Sequence, residues 1–152
     1  MKRIIALFFM AAFLSACLGG GAQQQAPVSW VNDSRECARN FTYDGSFLAG
    51  RTYRTQATVA NVTVEQAVTR SVKQLMADGW QTVTVDPKMG IVTVNQTVSY
   101  GQGKTVPLNV SVDQIERNKV KLSFSYSTPG GVTSPLEAIV EQFCTVVSAV
   151  QN

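Results

Sequence analysis

Two stretches of strict alternation between apolar and polar residues constrain the fold of this chain most strongly. Every second residue is apolar from 106 to 112 and again from 120 to 126. Successive side chains of a β-strand point to opposite faces, so the pattern predicts two strands with one face buried and one in water. The apolar positions are Val106, Leu108, Val110, Val112, Val120, Leu122, Phe124 and Tyr126. The chain must therefore build a sheet that is covered on one face.

Two amphipathic helices are predicted to supply that cover. Apolar and small residues recur every three or four positions over 64–78, after Thr63 and Gln66 at capping-box spacing. Gly79 stands where a left-handed residue ends a helix. A second capping box, Ser134-Pro135-Leu136-Glu137, predicts a final helix over 136–150.

Three further strands complete the predicted sheet, one over 47–60 and a hairpin of 80–85 and 91–98. The element order β-α-β-β-β-β-α predicts an α+β fold, with a mainly antiparallel sheet of about five strands and two helices packed on one face. Residues 30–152 are expected to form one domain, in which 30–41 is a short helix or a turn. The open face is expected to carry Thr82, Thr84, Thr93, Asn109, Ser111, Ser123 and Ser125.

The N-terminus has the three parts of an export signal: basic Lys2 and Arg3, apolar Ile4 to Leu14, and small residues before Cys17. The apolar part is shorter than the roughly 20 residues of a membrane-spanning helix, which predicts a cleaved signal over 1–16. Leu14-Ser15-Ala16-Cys17 resembles the lipobox of bacterial lipoproteins. The alternative is an ordinary secretory signal that is cleaved near Ala16 or Ala22.

The lipoprotein resemblance implies a thioether-linked diacylglycerol on Cys17 and an acyl chain such as palmitate on its new amino group. In diderm lipoproteins an Asp after the cysteine favours inner-membrane retention, so Leu18 implies the outer membrane, with the domain on the periplasmic side. Residues 17–29 are rich in Gly and Gln and predict a flexible tether behind the lipid.

If Cys17 carries lipid, the other two of the three cysteines, Cys37 and Cys144, are left as a pair in an oxidising compartment. We predict a disulfide that ties the N-terminal segment to the last helix. The chain has no Cys-x-x-Cys spacing and no histidine to lower the pKa of a thiol, which argues against a redox role.

The charge pattern does not favour nucleic-acid binding. Of thirteen basic residues, Lys2 and Arg3 belong to the signal, which leaves eleven against ten acidic residues. Nucleic-acid binding needs a concentrated basic face. Two small clusters, Arg51 with Arg54 and Arg117 with Lys119 and Lys121, are typical of solvated strands, although a weak contact with anionic lipid or glycan stays open.

Catalytic residues are scarce. The absence of histidine excludes Ser-His-Asp and Cys-His arrangements, and the ten acidic residues show no metal-ligand spacing. Glu137 and Glu141 share a helix face, which is typical of a solvated helix start. We therefore predict no enzyme, no metal and no cofactor other than the lipid on Cys17.

The loops and aromatic residues leave some alternatives open. Gly101 to Thr105 resembles the end of a phosphate-binding loop, but it precedes a strand and lacks the first glycine. Gly130-Gly131 is interpreted as a turn, with anion binding as the alternative. Trp30, Trp80 and Tyr100 are core or ligand aromatics, and Trp80 is expected in the core.

The element order from 48 to 150, with Gly79-Trp80 before a hairpin, is similar to the helix-grip domains of BamC-type outer-membrane assembly lipoproteins and to one repeat of the TATA-binding-protein-like fold. From the anchor, the short tether and the absence of catalytic groups, we expect a non-enzymatic accessory or assembly factor that binds an envelope protein. The first alternative is a carrier or sensor of a small apolar ligand, which requires a ligand-sized cavity. The second is a carboxylate-only enzyme, which requires two buried acids in one cleft.

Overall fold

A seven-stranded antiparallel sheet organises the described part of the chain. The structure is a computed structural model, and it describes residues 24–25, 30, 32–99 and 103–152. The strands are β1 (Gln24–Gln25), β2 (Thr42–Ser46), β3 (Gly50–Ala60), β4 (Gln81–Asp86), β5 (Ile91–Thr97), β6 (Thr105–Glu116) and β7 (Lys119–Thr128). Their order across the sheet is β1-β2-β3-β7-β6-β5-β4. The helices are α1 (Glu36–Arg39), α2 (Val64–Ala77) and α3 (Leu136–Gln151).

The predicted α+β fold is confirmed, with α2 and α3 packed on one face of the antiparallel sheet. The five predicted strands are β3 to β7, and the two predicted helices are α2 and α3. Helix α1 lies within 30–41, where a short helix or a turn was expected, and the structure adds β2 and the two-residue β1 at the N-terminal side. These additions are short, so alternation or helical spacing has too few residues in which to appear.

The alternating residues of β6 and β7 form the centre of the core. Val110 lies opposite Phe124 and Val112 lies opposite Leu122, and all four side chains are buried. Phe143 of α3 packs against Phe124, with ring centroids 5.2 Å apart. Burial of each such side chain stabilises the fold by about 1.5–3 kcal/mol relative to exposure.

The capping box of α2 is confirmed, whereas that of α3 is wrong. The Thr63 hydroxyl accepts the Gln66 N–H at 3.3 Å, and the Gln66 side chain accepts the Thr63 N–H at 3.1 Å. Helix α3 begins at Leu136 after an extended Pro135, with no side-chain cap. The Ser134 hydroxyl instead lies 3.1 Å from the hydroxyl of Tyr126, so a tertiary contact replaces the local one.

The predicted position of Thr82 on the open polar face is also wrong. A register shift between Thr82 and Thr84 places Thr82 opposite Val94 and Thr84 opposite Thr93. Directly paired residues share a face, so Thr82 lies on the side of the buried Val94. Sequence alternation cannot show such a bulge, because the extra residue looks like any other.

The predicted tether over 17–29 is wrong at two residues. Gln24 pairs with Tyr43 and Gln25 with Thr42, which makes β1 the outermost strand beside β2. The composition of the tether offers little apolar surface, but the free N–H and C=O groups of a strand edge bind any extended backbone. The other tether residues, Cys17 and the predicted signal over 1–16 lie outside the described residues.

Candidate functional site

An open cleft lies between the N-terminal half of α3 and strands β5 to β7. Its volume is about 200 Å³. The sheet, α3 and Trp80, which lies three residues after the end of α2, meet there. The lining residues are Trp80, Gln96, Leu108, Tyr126, Ser134, Pro135, Ala138, Ile139, Gln142 and Phe143.

Regular secondary structure positions the apolar walls of this cleft. Leu108 and Tyr126 are direct partners across β6 and β7, so both side chains project from the covered face. Ile139 and Phe143 are four residues apart on α3 and therefore share one helix face. All four side chains are buried, which fixes their orientation by packing.

Trp80 enters the cleft from the end of α2. Gly79 adopts φ 86°, a left-handed conformation that turns the chain out of the helix, and the Trp80 N–H donates to the Leu75 carbonyl at 3.0 Å. The Trp80 ring meets the Tyr126 ring edge to face at a centroid distance of 6.0 Å. Trp80 is 8% exposed, so its predicted place in the core is confirmed, although its ring also lines the cleft.

The rim of the cleft is polar and uncharged. Gln142 donates from Nε2 to the Asp78 carboxylate at 2.7 Å, which holds its amide in place. Gln96 makes no side-chain hydrogen bond to any of the described residues. Burial raises the pKa of the Tyr126 hydroxyl above its ordinary value, although the hydrogen bond to Ser134 opposes the rise. The hydroxyl is therefore neutral at physiological pH.

A second depression of about 280 Å³ continues from the cleft and shares Gln96, Tyr126 and Ser134 with it. Its remaining lining residues are Thr97, Val98, Ser99, Val106, Val132 and Thr133. The combined surface is thus apolar at the Trp80 end and rich in hydroxyl groups at the other end. We call the two depressions together the α3 groove.

The predicted disulfide between Cys37 and Cys144 is present, with a Cα–Cα distance of 5.4 Å. It joins α1 to α3, and both cysteines are buried. Arg35 spans the same junction, with contacts to Asp33 at 2.9 Å and to Glu141 at 2.8 Å. Hydrogen bonds from Arg35 lower the pKa of the partly buried Asp33.

The other candidate residues are dispersed. Glu141 is bound to Arg35, so it does not form an acid pair with Glu137. The buried polar side chains of the described chain are Thr55, Ser71 and Thr128, none of which is acidic. Within the same residues no group of three or more potential metal ligands occurs.

The predicted turn and surface clusters have structural partners. The Val132 N–H donates to the Pro129 carbonyl at 3.2 Å, which encloses Gly130-Gly131 in a turn, and the Gly131 N–H donates to the Phe47 carbonyl at 2.8 Å. Arg54 binds Asp44, Lys119 binds Glu116, and Arg51 lies over the Tyr43 ring. Trp30 is buried against Phe41, whereas Tyr100, Gly101 and Gln102 lie outside the described residues.

None of the described helices is both long enough and apolar enough to cross a membrane.

The geometry defines a disulfide-linked α+β domain that carries a groove with an apolar and a polar end. No protein-family model matches the chain, and no curated protein matches it. One similar solved structure is a conserved protein of unknown function from Enterococcus faecalis, at 11% identity and a TM-score of 0.44. The match covers 70% of this chain and 74% of that chain.

Most of the polar residues of the groove are not recognisable in the sequence. Only Gln96 leaves a signal, because it continues the alternation of Val92 and Val94 at a position where an apolar residue is expected. Ser134 fits the pattern of a helix cap, and Gln142 belongs to no motif.

Proposed function

We propose that this chain is an outer-membrane lipoprotein, anchored through lipid on Cys17, whose α+β domain binds another envelope protein without catalysing a reaction. The observation that carries the proposal is the disulfide between Cys37 and Cys144. It accounts for two of the three cysteines, and the third is the lipobox residue Cys17. Structural disulfides belong to oxidising compartments, which supports export.

The α3 groove supports binding rather than catalysis. Its lining offers hydroxyl and amide groups but no carboxylate, amine or imidazole. General acid and base catalysis at neutral pH usually requires such a group within hydrogen-bonding reach of the substrate. Hydroxyls and amides are, in contrast, common at the rims of protein interfaces.

The size of the cleft favours a protein partner over a carried ligand. Pockets for small molecules usually enclose about 300–1,000 Å³. The apolar cleft measures about 200 Å³ and opens to solvent, and the adjoining depression of about 280 Å³ is lined largely by hydroxyl groups rather than by apolar walls. A whole apolar ligand would therefore leave much of its surface in water, so the carrier alternative is disfavoured.

The test of the anchor is metabolic labelling of the full chain with an alkyne fatty acid in a diderm bacterium. We expect the wild-type chain to carry label and to sediment with outer membranes. Cys17→Ser should lose the label and leave the membrane fraction, because the thioether bond requires the thiol. The matched control, Cys37→Ser with Cys144→Ser, should keep the label. An unlabelled wild-type chain that is cleaved near Ala22 would contradict the proposal.

A further inference from the structure

The apolar end of the α3 groove has the size of one amino-acid side chain. Its volume is about 200 Å³, and an apolar cavity of about 150 Å³ suffices to hold benzene. A phenylalanine, leucine or methionine side chain therefore fits. A lipid acyl chain does not, since it needs several times the length of such a group.

The walls of the cleft select a neutral apolar group. Trp80, Leu108 and Phe143 are each at most 8% exposed and supply rings and methyl groups to the lining. No charged residue lines the cleft. A charge placed there would lose its hydration without gaining a partner, which is costly.

The rim of the cleft suits a peptide backbone. Every residue of an extended segment other than proline presents one N–H and one C=O group that need partners when covered. Gln96 offers both a donor and an acceptor, and Gln142 keeps its carbonyl oxygen as an acceptor while its Nε2 binds Asp78. Amide side chains on both sides therefore match the alternating groups of a backbone.

The hydroxyl-rich end gives this backbone a path away from the cleft. The second depression begins at Gln96 and Ser134 and continues along Thr97, Ser99 and Thr133. Its volume of about 280 Å³ accommodates the small or polar residues next to an anchor side chain.

We propose that the α3 groove docks an extended, uncharged segment of a partner protein, with one large apolar side chain seated against Trp80 and Tyr126. The inference rests on the proposed binding function and specifies the chemistry of the partner. A few buried anchor residues usually supply most of the binding energy of such an interface.

The test uses capped amino acids as probes of the purified mature chain. N-acetyl-phenylalanine methylamide should shift the indole N–H signal of Trp80, assigned with a Trp80→Phe variant, with a Kd on the order of 1 mM. The alanine and aspartate analogues should bind at least about tenfold more weakly, because they lack the apolar area or add a charge.

Two variants locate the binding. Ala138 is exposed on α3 and lines the cleft, so Ala138→Trp should fill its mouth and weaken probe binding at least about tenfold. Ala77 is an exposed helical residue outside the groove, so Ala77→Trp should bind as wild type does. Thermal melting of both variants would verify their folding. Equal binding of all probes, or an unchanged Kd in Ala138→Trp, would overturn the inference.

Crosslinking in cells tests whether the apolar group that fills the cleft belongs to a protein or to a lipid. A photoreactive residue at position 138 should crosslink to a partner peptide that contains a large apolar residue among uncharged neighbours. The same residue at position 77 should not. Crosslinks from position 138 that map to lipid alone would overturn the inference.

The two proposals fail separately. If the probe does not bind but the chain still carries lipid on Cys17, the proposal for the groove is wrong and the proposal of an anchored lipoprotein stands. If the probe binds saturably but the chain carries no lipid, only the proposal of the lipid anchor is wrong.

Discussion

At the residue scale, Thr63 and Ser134 show how similar local sequences are used differently. Both begin a capping-box pattern, and only the Thr63 hydroxyl binds the N–H of its helix. Thr63 is exposed, so its nearest partner is the helix itself. Ser134 lies beside Tyr126, which offers a hydroxyl on the packed face of the sheet.

Replacement of the cap tests this assignment. Thr63→Ala should lower the free energy of unfolding by about 1 kcal/mol, because an N–H at the start of α2 loses its acceptor. Thr69→Ala is the matched control, since Thr69 is exposed inside α2 and donates only to the Glu65 carbonyl. Urea denaturation should show little change for the control. Equal losses for the two variants would contradict the capping role.

Tyr126 makes stability depend on pH in the alkaline range. Burial raises its pKa in the folded state above the ordinary value of 10.0. Below that value the hydroxyl is protonated in both states, so its contribution is constant. As the pH rises through the ordinary pKa, the unfolded chain loses its proton first, and the folded state loses stability.

The Tyr126→Phe variant isolates this effect. Between about pH 9 and 11 the free energy of unfolding should fall less steeply in the variant than in the wild-type chain, although the lost contact with Ser134 lowers its stability throughout. Urea denaturation at several pH values gives both slopes. Parallel slopes would show that Tyr126 titrates alike in the two states.

At the scale of elements, the disulfide connects parts of the fold that local interactions leave weakly joined. Helix α1 has only four residues and is far too short to be stable alone. The bond to Cys144 fixes it against α3 across a sequence separation of 107. The ion pair of Arg35 with Glu141 adds little, because its groups are 41% and 62% exposed.

Removal of this bond should be costly. Cys37→Ala with Cys144→Ala should reduce the free energy of unfolding by up to about 4–5 kcal/mol, since the unfolded chain regains the entropy of a long open loop. Chemical denaturation of the variant measures the loss, and the wild-type chain in reducing agent should match it. A variant within about 1 kcal/mol of the oxidised chain would contradict the role of the disulfide.

At the scale of the whole molecule, β1 determines where an anchored domain would sit. Gln24 is seven residues beyond Cys17 and pairs with β2. A chain of that length spans at most about 25 Å, whatever its conformation. The opposite edge of the seven-stranded sheet is β4, about 29 Å away at the usual strand spacing.

If Cys17 carries the lipid, a fluorophore at Asp44 in β2 should transfer energy to labelled lipid headgroups more efficiently than one at Lys88 beside β4. Insertion of a long Gly-Ser segment after Gly21 should reduce this difference, because it frees the edge from the anchor. Steady-state energy-transfer measurements in vesicles give the efficiencies from both sites, with and without the inserted segment. Equal transfer from both sites in the unmodified chain would contradict the proposed arrangement.

The sequence by itself determined the elements with many regularly spaced apolar residues. The alternation of 106–112 and 120–126 and the helical spacing of 64–78 and 136–150 were sufficient for the α+β fold. Each signal repeats over two or more helical turns, or over four apolar positions in a strand, so local hydrophobic burial dictates the conformation. The Cys37–Cys144 pair followed from the cysteine count together with the expectation that Cys17 carries lipid.

Only the tertiary structure decided the features that depend on neighbours distant in the chain. The bulge at Thr82, the pairing of Gln24 with β2, and the contact of Ser134 with Tyr126 each require a partner that local sequence does not name. The same holds for the α3 groove, where Trp80 meets residues of β6, β7 and α3. Local patterns specify which face of an element is buried, whereas a binding groove arises from the gaps that remain when those faces meet.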